Sequence, residues 1–502
     1  MSTSTNQKLH EVSAAELVLA GNRFSRMLDE LGVAPGGGVA MIGANTPEYL
    51  AAYRGTVWSG RYFTPMSWRW TPDEVAYVTE NCEAGAIVVD ARWPDLAAAA
   101  ARFVPERARF AVGGSLPDFR DWSEVEALPA DPPDDPRSGA VMMYTSGTTG
   151  RPKGVRRPLP DGPPPSANGR SGAAMLTAFL PQGTDTGDTT HLVTSPLYHA
   201  GPLTYCDGAA LLGAHLVLME RFDAEQFLAL VEKHRVSSTF LVPIHFVRLL
   251  RLPAETRARY DLSSLRLVVH GSAPVAIDVK EKMIDWLGPV LYEFYGGTEG
   301  GGLGIDSHTW LERKGSVGRP YPGRSLEVVI LDEDGEPQPV GTEGLVYFRD
   351  TSQKPFAYKD DPEQTASAWR DGRFTLGDIG YLDDDGYLYL CDRRSDVINS
   401  GGVNVYPAQI EAALLEHQAV ADCCVVGVPD DEWGERIHAV VQPTPDASVT
   451  PDELLAHCRE RLAGYQVPRS VELDGALPRT ETGKLARRTI RDRYWVGRDR
   501  KI

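Results

Sequence analysis

The strongest constraint on the fold is an alternation that runs through the first three hundred residues. Short apolar runs such as "AGAIVVDA" (84–91), "AVMMYTSG" (140–147), "THLVTSPLYHAG", "AHLVLME", "SSTFLVP" and "LRLVVHGSAP" recur along the chain. Several are followed by helix-like segments, among them 223–234 and 276–287. Residues 12–32 also read as a helix, with Leu17, Leu19, Phe24, Met27, Leu28 and Leu31 at helical spacing and Gly32 as a stop. Strands alternating with helices predict an α/β architecture with a mostly parallel sheet. The rhythm then changes. "EVVILDEDGEPQPVGTEGLVYFRD" (327–350) and "DIGYLDDDGYLYLCDRRSD" read as hairpins with DG turns, an antiparallel β section. After Arg393 the pattern restarts as helix 407–417, strands 420–427 and 437–442, helix 451–462 and strand 469–473. The expected organisation is a large N-terminal domain over 1–392, a junction at 393–396, and a small α+β domain over 397–502. A chain of 502 residues supports that division, because single cores stop growing at roughly 250–300 residues.

Composition narrows the partners. With 51 Lys and Arg against 69 Asp and Glu, the net charge is −18. Such a chain repels nucleic acid and anionic lipid. An anionic substrate needs a local basic site, which draws attention to Lys153, Arg393 and Lys484. The six cysteines show no CxxC or other zinc spacing, and scattered thiols fit a reducing cytoplasm. No apolar run approaches the roughly 18 residues of a membrane span, and the first residues lack a signal-peptide pattern. The helix at 12–32 is expected to open the fold without a strand before it.

Four stretches carry chemistry. "YTSGTTGRPKG" (144–154) is a strand-borne turn with Thr145, Ser146, Gly147, Thr148, Thr149, Gly150 and Lys153, rich in donors for an anion. It is not a Walker loop, because Pro152 precedes the lysine and Gly154 follows it. "YEFYGGTEGGG" (292–302) sets Thr298 beside Glu299 in a glycine run, a hydroxyl donor next to a carboxylate able to hold Mg²⁺. Tyr295 offers an aromatic face to a nucleobase. Asp378 is suited to a ribose diol, with Arg393 donating to the same sugar or a phosphate. "LPRTETGKLARR" (477–488) places Lys484 on a polar glycine turn; taken alone, most such lysines are simply solvated.

In this order the stretches resemble the adenylate-forming superfamily of acyl-CoA synthetases, peptide-synthetase adenylation domains and beetle luciferases. "GSVGRPYPG" (315–323), "SGGVNVYPAQIE" (400–411) and "PRTETGK" carry the resemblance further, over nearly the whole chain. It implies ATP-dependent conversion of a carboxylic acid to acyl-AMP with release of pyrophosphate, then transfer to a thiol, usually CoA. Gly271, Ser272, Ala273 and Pro274 would line adenine, with Tyr295, Gly296, Gly297 and Thr298 completing the nucleotide site. Asp378 would hold ribose, Glu299 Mg²⁺, and Lys484 the charge shared by carboxylate and α-phosphate. The small domain would then rotate about Ser395, where the family has Asp or Lys, bringing Gly401 and Gly402 to the thiol. The acid pocket is expected around His199, Gly201, His245, His270, Gly297 and Gly302. The glycines at 297 and 300–302 would leave room for a ring-bearing acid or line a tunnel. A histidine at 245 is more often a packed residue than a base. Two other readings stay open: transfer of the activated acid to an amine, including nitrite activation and diazotisation of an aryl amine as in relatives from secondary metabolism, and a nucleotide-binding regulator without catalysis. A monomer or homodimer is expected.

Overall fold

The computed structural model describes residues 8–145, 151–164, 173, 176–177, 189–321, 325–401, 403–445, 447–479 and 485–496. The alternation in the sequence resolves into two sheets. The first has six parallel strands in the order Arg120–Asp121, Arg109–Val112, Ala84–Asp90, Gly38–Ile42, Tyr62–Met66, Ala140–Val141. Gly38–Ile42 and Tyr62–Met66 are buried throughout, as expected of strands covered on both faces. Their connecting helices start at side-chain caps: Thr46 before Pro47–Val57, and Thr71 before Pro72–Asn81 in a capping box with Glu74.

The second sheet has 13 strands and changes character along its length. His215–Met219, Thr190–Val193, Ser238–Leu241, Leu267–His270 and Leu291–Gly297 run parallel. At the hairpin from Leu291–Gly297 to Gly300–Asp306 the sheet turns antiparallel. It continues through Ser316–Pro320, Leu388–Arg393, Arg373–Leu382, Gly344–Asp350 and Leu326–Leu331. The DG hairpins expected from the sequence form this antiparallel half. A strand, Leu9–Val12, precedes the first helix, Ala14–Glu30, and pairs antiparallel with His215–Met219. That corrects the expectation of a fold opening directly on a helix. The strand "LHEV" is too short and too polar to stand out by alternation, and its place is set by an open sheet edge.

Within the expected strand 140–147, the described stretch 140–145 is also not one strand. It breaks at Met142: Ala140–Val141 closes the six-stranded sheet, while Met143–Thr145 joins a separate three-stranded sheet with Lys153–Arg156 and Ala357–Tyr358. The small α+β unit has its own five-stranded sheet from Ile398–Ser400 to Ser470–Leu473. Pro407–Leu415 and Pro451–Arg461 pack on it over a core of Ile398, Ile410, Leu414, Val425, Val441, Leu454 and Cys458.

One buried ion pair stands out within the large sheet's layers. Lys280 Nζ lies 2.5 Å from Glu293 Oε2 and 4.4 Å from the centroid of the Trp310 ring, with the lysine side chain fully buried. Burial lowers the pKa of Lys280, while Glu293 pulls it upward. Removing one partner of such a pair strands the other charge in an apolar surrounding. Glu293→Ala is therefore expected to cost about 3–5 kcal/mol, seen as a lower urea midpoint. Replacing both partners by apolar residues should restore most of the loss.

Candidate active site

The three-stranded sheet carries both ends of the donor-rich turn. Thr145 pairs with Lys153, and Tyr144 with Gly154. Gly154 is needed there because a Cβ would sit 2.8 Å from Tyr144 Cζ. The Tyr144 hydroxyl donates to Asn81 Oδ1 at 2.6 Å, tying this sheet to the end of the helix Pro72–Asn81. Ser146, Gly147, Thr148, Thr149 and Gly150 lie outside the described residues, as do Gly402 and Lys484.

Beside this sheet stands the hairpin of the large sheet. Gly297 pairs with Gly300, so Thr298 and Glu299 occupy a two-residue turn between glycines. Tyr358 donates to Glu299 Oε1 at 2.9 Å, and the ammonium of Lys153 lies 5.7 Å from the centroid of the Tyr358 ring. Lys153, Tyr358 and Glu299 thus form one cluster. Burial lowers the pKa of Lys153, and the charges of Asp361 and Glu299 oppose that shift. A partly desolvated lysine beside a donor-rich turn is suited to an incoming anion.

The donor set around Glu299 fits a magnesium ion that arrives on phosphates. Such an ion takes one or two protein carboxylates and keeps waters and phosphate oxygens for the rest. Among the described residues there is no cluster of three or more His, Cys, Asp or Glu that would hold a metal alone. Glu299 with one carboxylate oxygen engaged by Tyr358 meets the lesser requirement.

From the first strand of that hairpin, the Tyr295 hydroxyl donates to Asp378 Oδ2 at 2.6 Å, and Arg393 Nε lies 3.3 Å from Asp378 Oδ1. Asp378 and Arg393 are direct cross-strand partners. Burial together with the Asp378 charge raises the pKa of Tyr295 well above its usual value, so it remains a donor. Gly271 and Ser272 follow the strand Leu267–His270, where a Cβ on Gly271 would collide with the carbonyl of Phe294. Ser272 adopts a left-handed backbone (φ 72°), uncommon for a residue with a side chain. Ala273 and Pro274 continue that turn.

The pocket residues expected for the acid do not all come together. His199 precedes the helix Ala200–Leu211, its ring 4.5 Å from that of Tyr198. A Cβ on Gly201 would sit 2.9 Å from Phe240 Cζ. Phe240 stacks on Tyr205 at 5.4 Å, Tyr205 meets Phe294 edge-on at 6.2 Å, and Phe294 stacks on Tyr321 at 6.3 Å. His245 and His270 lie across the sheet from this aromatic wall, a correction to the sequence expectation. His245 stacks on Phe222 at 3.7 Å, and His270 meets Phe246 edge-on at 5.0 Å. Side chains alternate along a strand, so Val269 enters the core shared with Phe240 while Val268 and His270 face the opposite one. Burial lowers the pKa of both histidines well below the usual imidazole range.

The glycine run also has another reason than room for a ring. A Cβ on Gly297 would meet Leu376 Cδ2 at 2.7 Å, one on Gly300 would meet Phe374 Cζ at 2.6 Å, and one on Gly301 would lie 3.3 Å from the Gly296 Cα. Gly300, Gly301 and Gly302 adopt φ of 140°, 89° and 121°. At 297 and 300 the space is taken by packed neighbours, not left for a ligand. Sequence reasoning did not single out Tyr358, Tyr205, Phe240, Phe294 or Tyr321, although Tyr205 ends the stretch 197–205 expected near the acid and Phe294 and Tyr321 stand inside the motif stretches 292–302 and 315–323. Tyr358 lies just ahead of the capped helix Pro362–Ala368.

At the junction of the small unit, Asp392 Oδ2 accepts from the backbone N–H of Ala408 at 2.9 Å, in the first turn of Pro407–Leu415. Burial raises its pKa to about 6. Ser395 Oγ donates to Asp396 Oδ1 at 3.2 Å, and Asp396 pairs with Arg487 at 3.4 Å. Gly401 adopts φ 63° under the half-exposed Trp433 ring, which a Cβ there would strike.

With this geometry in place, the comparisons with known proteins are specific. The family model described as "AMP-binding enzyme" matches residues 4–353, and the one described as "AMP-binding enzyme C-terminal domain" matches 409–484. The chain belongs to the AMP-binding, adenylate-forming enzyme family. Within it the chain is an AMP-forming ligase that joins an acid to the thiol of CoA or of a carrier protein. It is 34% identical over 495 residues to a feruloyl-CoA synthase of an Amycolatopsis species, covering 96% of this chain and 93% of that one. It is 32% identical to an indoleacetate–CoA ligase of Aromatoleum aromaticum, over 96% of this chain and 93% of the relative. The crystal structure of ATP-bound MatB from Rhodopseudomonas palustris superposes with a TM-score of 0.79 at 27% identity, covering 96% and 93%. Among the described residues no helix is long and apolar enough to cross a membrane.

The Tyr295–Asp378 contact yields a direct test. Tyr295→Phe removes a hydrogen bond to a charged group, worth about 1.5–3 kcal/mol. With a ribose diol on Asp378, the dissociation constant for ATP measured by calorimetry should rise roughly tenfold. An unchanged constant would place the sugar elsewhere.

Proposed function

We propose that this ligase activates a carboxylic acid bearing an aromatic ring and transfers it to CoA. The observation that carries the acid class is the series of rings Phe240, Tyr205, Phe294 and Tyr321, of which Phe240 and Tyr205 are buried and Phe294 and Tyr321 are partly exposed. Aromatic rings pair by offset stacking and edge-to-face contacts, so such a wall favours a planar substrate. The feruloyl and indoleacetate substrates named for two relatives are of that class.

In this reading the turn 145–150 and Lys153 receive the phosphates of ATP. Gly271, Ser272, Ala273 and Pro274 line the adenine, with Gly296 and Gly297 beside it. Asp378 accepts from the ribose hydroxyls, oriented by Tyr295, and Arg393 stands ready for the sugar or a phosphate. Thr298 donates to a phosphate oxygen, and Glu299 is the carboxylate for magnesium, which supplies charge neutralisation on the phosphates when bound. The acid lies with its carboxylate near His199 and its ring along the aromatic wall. A carboxylate oxygen attacks the α-phosphorus, the bond to the pyrophosphate oxygen breaks, and acyl-AMP and pyrophosphate result. Catalysis is positioning and charge neutralisation, with Lys484 stabilising the charge that develops between carboxylate and α-phosphate.

The division at 1–392, 393–396 and 397–502 gives the second step its geometry. Rotation about Ser395 withdraws Lys484 and presents Gly401 and Gly402 to the incoming thiol. The thiolate then attacks the acyl carbon and AMP leaves. Hinges of this kind absorb backbone change at a few residues.

Lys484→Ala should slow adenylation about 10²–10³-fold, while thioester formation from supplied acyl-AMP survives. Equal loss of both halves would sink the rotation. Mass spectrometry of products from Mg·ATP, CoA and a panel of aromatic and aliphatic acids tests the acid class. A thioester with aryl acids supports it, and a strict preference for aliphatic acids overturns it. A second arm replaces CoA with amines, then with nitrite plus aryl amines. An amide or a diazo product there would move the acceptor and keep the adenylation residues.

A further inference from the structure

We propose that Arg157 is a positioning residue for the Thr298–Glu299 turn, holding both carbonyls of that turn so that the Glu299 carboxylate is presented in one orientation. The inference rests on Glu299 being the carboxylate that meets magnesium on ATP. Arg157 Nη1 donates to the carbonyl of Thr298 at 3.3 Å, and Nη2 donates to the carbonyl of Glu299. A guanidinium is a rigid planar fork with paired donors, suited to gripping two acceptors at once.

Two further contacts fix the fork. The Tyr62 hydroxyl donates to the carbonyl of Arg157 at 2.7 Å, pinning its backbone to the six-stranded sheet. The guanidinium lies 5.7 Å from the centroid of the Phe356 ring. A Cβ on Gly300 would stand 3.4 Å from Nη2, so the absence of a side chain at 300 leaves the approach open.

The turn needs such a grip. Gly296, Gly297, Gly300, Gly301 and Gly302 flank Thr298 and Glu299, and glycine is the residue with the greatest backbone freedom. A hairpin tip between glycines would otherwise leave the carboxylate free to wander. Arg157 acts on the backbone, and the Tyr358 hydroxyl acts on the side chain through Glu299 Oε1. Both grips come from one small sheet. Tyr358 pairs with Val155, and Arg157 follows the strand Lys153–Arg156 that begins with the phosphate-facing lysine. The element that receives the phosphates thereby also sets the position of the acidic turn. Because the arginine binds carbonyls and not the carboxylate, it orders Glu299 without neutralising it.

The test uses the full chain and three variants, Arg157→Gln, Arg157→Lys and Glu299→Gln. Calorimetry gives the dissociation constant for ATP with magnesium and with excess chelator, and hydrogen exchange of the ligand-free protein reports on the segment 294–304. Arg157→Gln should weaken Mg·ATP about tenfold and leave metal-free ATP within about twofold, with faster exchange at the turn. Arg157→Lys, with a single donor head, should recover part of the affinity and serves as the comparison if Arg157→Gln fails to fold. Mg·ATP affinity unchanged in both arginine variants, or an equal loss with and without the metal, overturns the proposal. Glu299→Gln separates the two ideas. If it weakens Mg·ATP and the arginine variants do not, the grip is wrong and the metal reading stands. If none of the three does, the metal reading fails and the grip fails with it.

Discussion

The tight hairpin at residues 291–306 is the joint on which the large domain depends. Its first strand is the last of the parallel series, and its second begins the antiparallel half of the same sheet. The backbone there takes positive φ at three successive glycines and packs against Phe374 and Leu376. A side chain at Gly300 would combine backbone strain with collision against Phe374. The close turn leaves Thr298 and Glu299 at its tip. Tyr295 and Phe294, successive residues of the first strand, reach the Asp378 carboxylate and the Tyr321 ring on opposite faces. One strand thus serves two parts of the candidate site through the two-residue alternation of a β-strand.

Around this joint, smaller units supply what it lacks. The three-stranded sheet brings Lys153, Tyr358 and Arg157 to the turn. The antiparallel half brings Asp378 and Arg393 as cross-strand partners. The small unit meets the large one at Asp392, which caps the first turn of Pro407–Leu415, and near Ser395, beside the Asp396–Arg487 pair. Arg251 with the Ala421 carbonyl and Tyr406 with Glu343 add further polar contacts between the two, and polar contacts are common where domains of one chain meet.

Much of the fold was legible because its signals are local. Alternating apolar runs, capping residues and DG turns depend on neighbours in sequence, and the strands and helices they announce are present with small shifts at their ends. The strand at Leu9–Val12 was not legible, since an edge position on a distant strand decides it. The split of 140–145 was not legible either, because each half belongs to a different sheet. At the site, the motif residues at 144–154, 292–302 and 378 were named in advance. Their partners Tyr358 and Arg157 were not, because no spacing marks a residue whose role comes from touching a turn well over a hundred residues away in the case of Arg157.

The histidines show the same division. Sequence placed His245 and His270 with His199 by proximity to motifs, and strand alternation sends His270 to the opposite core while His245 packs there against Phe222. The glycines at 297 and 300 looked like space and are filled by Leu376 and Phe374. The sequence by itself determined the family, the α/β and antiparallel halves, and the identity of the motif residues, all of which are written in short contiguous patterns. Tertiary structure alone decided which face each side chain serves, which residues hold the acidic turn, and what fills the space beside it. Those outcomes depend on sheet register and close packing between distant segments, and neither is encoded in any one stretch of the chain.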